Sequence, residues 1–466
     1  MLTLKLSRRD LLRRGAAFGA GLALSRSTYG RAAGSTPLPP GSLPNPDLPE
    51  GTDTLPQIEH IIVLMMENHS YDNYLGVLER GDGFTLDRDG NPTASNPDQD
   101  GKLIRAFHMP STCQLDGAPS QSWTASHIAF GTSPATPANQ GFVLGSGPVA
   151  MGYWTQDDIP FYYGLARNFV VCDRWFCSVL AQTYPNRRFL MAGTAAGIIS
   201  TTSAGLLAPS PPNGSIFDRL DANGIEWRDY YSDAPSVLIL SHLADNYTSS
   251  FAPVDQYFAD AAAGTLPGFC IVDPNFDTEG SEEDPDDIQV GEEFASRVIN
   301  AAMSGPGWAK TVLIWLYDEH GGYYDHVPPP RAIKPDDIPP GIDVAPQLPG
   351  GYDRYGFRVP AVVVSPYARR GYVSHVVHDH TSVLKLVETK WNLPALTYRD
   401  ANADNLLDCL DLTGTPAFLE PPVLPAPGLI ANPSSCMPGM PGEIPPPDAV
   451  VSSIMPTRPR LPVLNR

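Results

Sequence analysis

The stretch IIVLMMENHS (residues 61–70) runs through six apolar side chains and stops at an acid, an amide and an imidazole: Glu67, Asn68 and His69. A second apolar run, TVLIWLY (311–317), ends in DEHGGYYDHVPPP (318–330), where Asp318, Glu319, His320, Asp325 and His326 surround a glycine pair. A third, VPAVVV (359–364), leads on to His375, His378 and His380. Seven of the ten histidines fall in three clusters (60 and 69; 320 and 326; 375, 378 and 380), and a chance scatter does not favour the downstream ends of three apolar runs. Carboxylates, an amide oxygen and imidazoles are the donors that a hard or borderline divalent cation takes, so the set predicts a metal site, with the metal's identity open. Taken singly, Asp325 and His375 read equally well as capping or orienting groups. A nucleophile is offered by CSVLAQTYPNRRFLMAGT (177–194), in which Thr183 precedes Pro185, Asn186 and Arg187. Proline suits the first turn of a helix. A hydroxyl there faces unpaired amide groups and the positive end of the dipole, which favour an alkoxide and a phosphate oxyanion. From spacing alone, Thr183 reads equally as a simple helix cap.

These groups must be positioned by elements the chain can build. Ile58–Met66, Thr311–Tyr317 and Val359–Val364 are short, continuous apolar runs rich in β-branched residues, as expected of strands buried on both faces. Helical patterns follow at Ile159–Arg167, Gly291–Met303 and Thr381–Trp391, the last with Thr381 or Ser382 as a cap. Alternating strands and helices predict an α/β fold with a mostly parallel sheet flanked by helices, in which ligands bind beyond the carboxyl ends of the strands. No internal repeat is present.

The ends of the chain have a different character. SRRDLL (7–12), a short glycine-rich apolar run and GRAAG (30–34) form a twin-arginine type of signal over residues 1–34, too short and glycine-rich for a membrane span. Export by the twin-arginine machinery, to the periplasm, the medium or the cell surface, is therefore expected. Residues 35–56 read as a Pro-rich linker, 57–420 as the catalytic domain and 421–466 as a Pro-rich tail unable to hold regular helix or central strand. The first 34 residues carry seven of the 31 basic and one of the 51 acidic side chains, so their removal takes the formal charge from −20 to −26. Such a surface repels nucleic acid and anionic membranes, and accepts a phosphate-bearing substrate only where a metal reverses the field. Six cysteines in an exported chain admit up to three disulfides, and no CxxC metal pair occurs.

Five blocks, in order, resemble the phosphoesterase family of bacterial phospholipases C and acid phosphatases, within the alkaline-phosphatase-like superfamily: IEHIIVLMMENHSYDNYLG, MGYWTQDDIPFYYGLARNF, VCDRWFCSVLAQTYPNRRFLMAGT, WLYDEHGGYYDHVPPP, and YGFRVPAVVVSPYARRGYVSH with HDHTSVLKLVE. The resemblance runs from about Ile58 to Asp411. It implies an alkaline-phosphatase-like fold and a covalent mechanism at a divalent cation, on a phospholipid or another phosphate ester. By motif position, Glu67, Asn68, Asp318 and Glu319 match the metal ligands, Asn68 also stabilising the phosphoryl oxygens; Thr183 matches the nucleophile and His380 an active-site histidine. Where relatives carry a His-Pro pair, this chain has Asp284-Pro285. A carboxylate there repels phosphate and transfers a proton only with a raised pKa. His69, His320 and His326 are the substitutes expected to meet substrate.

Two other readings follow from the same residues. A non-catalytic exported binding protein on this fold is favoured by Asp284, and disfavoured by a nucleophile kept beside four ligands. A sulfatase is disfavoured by TYPNR, in which Thr183 lacks the side chain of the usual modification site. The aromatic segment Phe142–Tyr163 reads either as core or as the lining of a lipid-docking surface.

Overall fold

Six successive apolar residues can be buried only if a strand is covered on both faces and paired on both edges. The computed structural model, which describes residues 36–113, 119–131, 138–206, 208–278, 280–342 and 347–428, gives β1 (His60–Met66) that position. Ile61 through Met66 are completely buried, each contributing about 1.5–3 kcal/mol through removal of its side chain from water. The sheet adds β2 (Val170–Cys172), β3 (Trp227–Tyr231), β4 (Phe251–Pro253), β5 (Phe269–Asp273), β6 (Thr311–Tyr317), β7 (Ala361–Val364) and β8 (Val373–Ser374), in the order β8-β2-β7-β6-β1-β5-β3-β4. β1 pairs in parallel with β6, from His60 opposite Thr311 to Met66 opposite Tyr317, and in parallel with β5. The carboxyl ends of β1, β5 and β6 therefore share one edge, and place Glu67, Asp273 and Asp318 side by side.

β7 departs from the expectation. It runs antiparallel to both β6 and β2, so its carboxyl end points away from Glu67 and Asp318, and Ser365 donates to Thr311 O at the start of β6. What the approach to β7 brings to the functional edge is Arg358, three residues before the strand. The histidines after β7 come back only because β8 runs parallel to β2.

Five helices matter for the site: α1 (Tyr71–Leu75), α2 (Pro160–Asn168), α3 (Thr183–Ala192), α4 (Ile288–Ser304) and α5 (His380–Trp391). α5 starts one residue earlier than its sequence pattern suggests. Its cap is Asp379, whose amide donates to Ser382 Oγ at 3.3 Å and whose carboxylate accepts from Thr381 Oγ1 at 2.5 Å. Asp379 also accepts from Ser178 at 2.8 Å, tying this helix start to the segment before α3.

The Pro-rich stretch after residue 36 is docked rather than free. Asn392, the left-handed cap of α5, donates to Asn45, Leu48 and Pro49 carbonyls and accepts from Asn45 N. Thr54 N donates to Lys390 O. Tyr153, Trp154, Phe161, Tyr162 and Tyr163 are buried, so this part of the aromatic segment is core. Cys113 is disulfide-bonded, and Cys172, Cys177, Cys270 and Cys409 are buried free thiols. Among the described residues no helix is long and apolar enough to cross a membrane. Residues 1–34 and the tail beyond 428 lie outside the described residues.

Candidate active site

Strand β1 ends and the backbone breaks at Asn68, which adopts φ of 69°, a left-handed conformation uncommon for a non-glycine residue and frequent at working sites. The turn after β6 is built against it. Asn68 N donates to Asp318 Oδ1 at 3.2 Å, Glu319 N donates to the same oxygen at 2.7 Å, and Gly321 N donates to Glu319 Oε2 at 2.9 Å. Gly321 is required here: its φ is 64°, and a Cβ would stand 1.9 Å from Asn68 O. Glu67, Asn68, Asp318 and Glu319 are all at most 2% exposed.

α3 approaches this edge with its first turn. Asn186 ties down the segment in front of the helix, donating to Ala181 O at 2.9 Å and accepting from Val179 N at 3.0 Å. Thr183, 5% exposed, opens the helix, and Gln182 before it makes no side-chain cap. Tyr184 N donates to Thr201 Oγ1 at 3.2 Å and Pro185 has no N–H, so what the first turn offers an anion is the positive end of the helix dipole. One turn on, Arg187 lies on the same face of the helix. Its Nε donates to Asp318 Oδ2 at 3.3 Å, and Nη2 donates to Met65 O at 3.1 Å. Its guanidinium also stands 3.7 Å from Glu67 Oε1 and from Asp273 Oδ1.

Arg187 and Asp273 are the site residues that reading the sequence did not single out. A signal for Asp273 existed: it ends the apolar run FCIV as Glu67 ends its own.

The charge balance is unfavourable without a further cation. Burial raises the Asp318 carboxyl; Arg187 lowers it and Glu67 raises it again. Burial, then Asp318, pushes Glu319 well up. Asp273 is raised by burial, and Asp229 beside it by burial and by Asp273. Asn68 Oδ1 and Glu319 Oε1 are buried without a hydrogen-bond partner. Orphaned oxygens beside crowded carboxylates fit a hard divalent cation in chemistry and in charge. Their spacing is open: among the described residues, the trios of His, Cys, Asp or Glu with ligand atoms within 4.8 Å of one another lie elsewhere, at Cys172, His378 and Cys409 and at His378, Asp404 and Asp408.

The histidines divide sharply. His380 is at the edge: its Nε2 donates to Asp318 O at 2.6 Å and Nδ1 accepts from Trp175 Nε1 at 3.4 Å, while burial lowers its pKa to about 4. His320 is buried next to Glu319, 3.1 Å from Oε2 but not aligned for a hydrogen bond, and burial lowers it to about 3. His69 faces away from the acids. It is stacked on Tyr74 and Tyr323, and its nitrogens meet Asn73 Oδ1 at 2.7 Å and Glu282 O at 3.0 Å. His326 pairs with Asp72 at 2.7 Å and Asp82 at 3.3 Å. Arg358, fully buried, bonds Asp325 at 2.9 Å and Asp72 at 3.1 Å. Asp325 therefore orients Arg358, and this network fastens the turn after β6 to α1. His375 pairs with Asp173 at the surface.

Asp284 lies on the loop that follows β5. Its loop is pinned where Glu67 N donates to Ser281 O at 3.0 Å, and where Glu282 accepts from Tyr74, Tyr162 and Tyr317. The Asp284 carboxyl accepts from Tyr323 OH at 3.0 Å, and desolvation holds its pKa well above the usual range.

The chain is similar to known proteins along most of its length. The phosphoesterase family matches residues 58–394. Phospholipase C B of Mycobacterium tuberculosis is 31% identical over 466 residues, spanning 86% of this chain and 85% of its own. Non-specific phospholipase C6 of Arabidopsis thaliana is 30% identical over 401 residues, spanning 79% and 75%. A protein of the alkaline phosphatase superfamily from Vibrio parahaemolyticus aligns over 68% of this chain and 73% of its own, at 12% identity and a TM-score of 0.36.

Proposed function

The chain belongs to the phosphoesterase family and is a phosphoric-ester hydrolase, and we propose that it acts as an exported, metal-dependent phospholipase C through a phospho-threonine. The observation that carries this reading is the meeting of the α3 start with the carboxyl edge of β1 and β6. There Thr183 and Arg187 share a helix face, and Asn68 Oδ1 and Glu319 Oε1 have no protein partner.

Thr183 Oγ1 attacks phosphorus in line. The Oγ1–P bond forms as the bond from phosphorus to the leaving alcohol breaks, the threonine proton passing to water and the alcohol taking a proton as it departs. Water then cleaves the phospho-threonine. Glu67, Asn68, Asp318 and Glu319 would hold a divalent cation, which would supply Lewis acidity and offset phosphate charge. Arg187 holds Asp318 in place, and His380 fixes the same residue through its backbone carbonyl. The positive dipole end of α3 favours the negative charge on the equatorial oxygens. Asp284, whose carboxyl desolvation pushes up, is the candidate proton donor to the leaving alcohol.

Turnover of phosphatidylcholine, a soluble diester and a monoester, each with added divalent metals and with chelator, tests the reading. Metal-dependent release of diacylglycerol is expected, and Asp318→Ala is expected to lose both bound metal and turnover while remaining folded. Monoester preference would make the protein a phosphatase. Full turnover in chelator would remove the metal role. Asp284 favours one rival, a binding protein that has lost catalysis, and absence of turnover on all three substrates with metal bound would establish it.

A further inference from the structure

A second cluster of metal-ligating side chains lies away from the acids of the active edge. Cys172 ends β2, Cys409 ends the short 3-10 helix Leu407–Cys409, and His378 sits in the turn before α5. All three are completely buried, and their ligand atoms lie within 4.8 Å of one another. We propose that Cys172, Cys409 and His378 form a structural site for a zinc-class divalent cation.

The distances carry the proposal. Zinc binds thiolate sulfur at about 2.3 Å and imidazole nitrogen or carboxylate oxygen at about 2.0–2.2 Å, so in a tetrahedral site two sulfurs stand about 3.8 Å apart and mixed pairs about 3.3–3.6 Å apart. Cys172 Sγ and Cys409 Sγ are 3.7 Å apart. His378 Nε2 is taken by Ser374 Oγ at 3.1 Å, and that hydroxyl donates to Asp408 Oδ2 at 2.5 Å. The opposite ring nitrogen, Nδ1, is buried without a hydrogen-bond partner and has Asp404 Oδ1 at 3.5 Å. A hydrogen-bond partner behind the non-ligating nitrogen, here Ser374 on Nε2, is what orients a metal-bound imidazole. Two thiolates also give a dication charge neutrality, which suits a retained structural ion.

The site has something to hold. Phe176 N donates to His378 O at 2.9 Å and His378 N donates to Arg174 O at 3.0 Å, so a cation here clamps the segment after β2 to the turn that delivers His380.

The test is metal analysis of the purified full-length protein, as isolated and after exchange with cobalt. One zinc per chain, retained in a chelator that strips the active edge, is expected. So is a thiolate-to-cobalt charge-transfer band in the near ultraviolet, which oxygen and nitrogen ligands at the active edge do not produce. Cys172→Ser and Cys409→Ser should each abolish the band and one equivalent of metal, whereas Asp318→Ala should keep the band. If a cysteine variant fails to fold, the unmodified protein still decides the matter through band and stoichiometry. A mapped Cys172–Cys409 disulfide overturns the proposal, as does a cobalt-loaded protein with both thiols reduced and no charge-transfer band.

Discussion

Arg187 Nε donates to Asp318 Oδ2 at 3.3 Å, four residues beyond Thr183 on one helix. One side chain thereby links the start of α3 to the carboxyl edge of the sheet.

Removing that guanidinium should be costly. Arg187→Ala leaves Glu67, Asp273 and Asp318 buried without their shared cation, and breaking a buried pair in this way costs about 3–5 kcal/mol. Urea unfolding in chelator should show the loss, and added divalent metal should recover part of it. A change below about 0.5 kcal/mol would mean that the acids are already neutral.

Thr183 separates a covalent route from a direct attack by water. Thr183→Ser should keep appreciable turnover because the hydroxyl survives; Thr183→Ala should keep metal and lose about a thousandfold or more in rate, as expected when an entire nucleophilic step is removed. Acid quenching during turnover should label residue 183 of the parent protein. Near-parent rates in Thr183→Ala would make water the nucleophile.

Asp284 faces Tyr323 at 3.0 Å. If it protonates the leaving alcohol, Asp284→His should change the rate on esters with poor leaving groups and leave activated aryl esters nearly unaffected. One pKa unit of mismatch corresponds to about tenfold in rate. Equal effects on both classes would place Asp284 in binding or folding instead.

The ion pair of His326 makes stability depend on pH. Burial alone would lower its pKa, but the hydrogen bond and charge of Asp72, with Asp325, raise it from 6.5 to about 9. A raised folded-state value means that the contribution is complete below the unfolded value and is lost as pH rises through the folded one. Melting temperatures of parent and His326→Gln proteins, taken without metal from pH 6 to 10, should converge towards the alkaline end. A constant gap would show that His326 contributes through packing alone.

Much of this arrangement was legible in the chain. The apolar runs before Glu67 and Asp318 specify strands buried on both faces, and their parallel pairing follows from the helices between them. Thr183 was visible through its Pro185 and its place at a helix start. The direction of β7 was not legible, because a run such as AVVV satisfies either pairing equally. The separation of His69 and His326 from His380 was hidden too. All three follow or precede predicted elements, and only tertiary contacts turn one ring towards Glu282 and another towards Asp72. Arg187 escaped notice because a buried guanidinium has no periodic signature.

The central strand also sets when activity can begin. Asn68 and Asp318 are 250 residues apart in sequence, yet they are hydrogen-bonded, and β1 finds both of its neighbours only in segments that follow residue 268. Closing so long a loop is an entropic barrier that local contacts cannot bypass, so the centre of the sheet forms late. The contact that completes the sheet is the one that assembles Glu67 and Asp318. A chain still emerging from the ribosome therefore carries no assembled ester-cleaving centre.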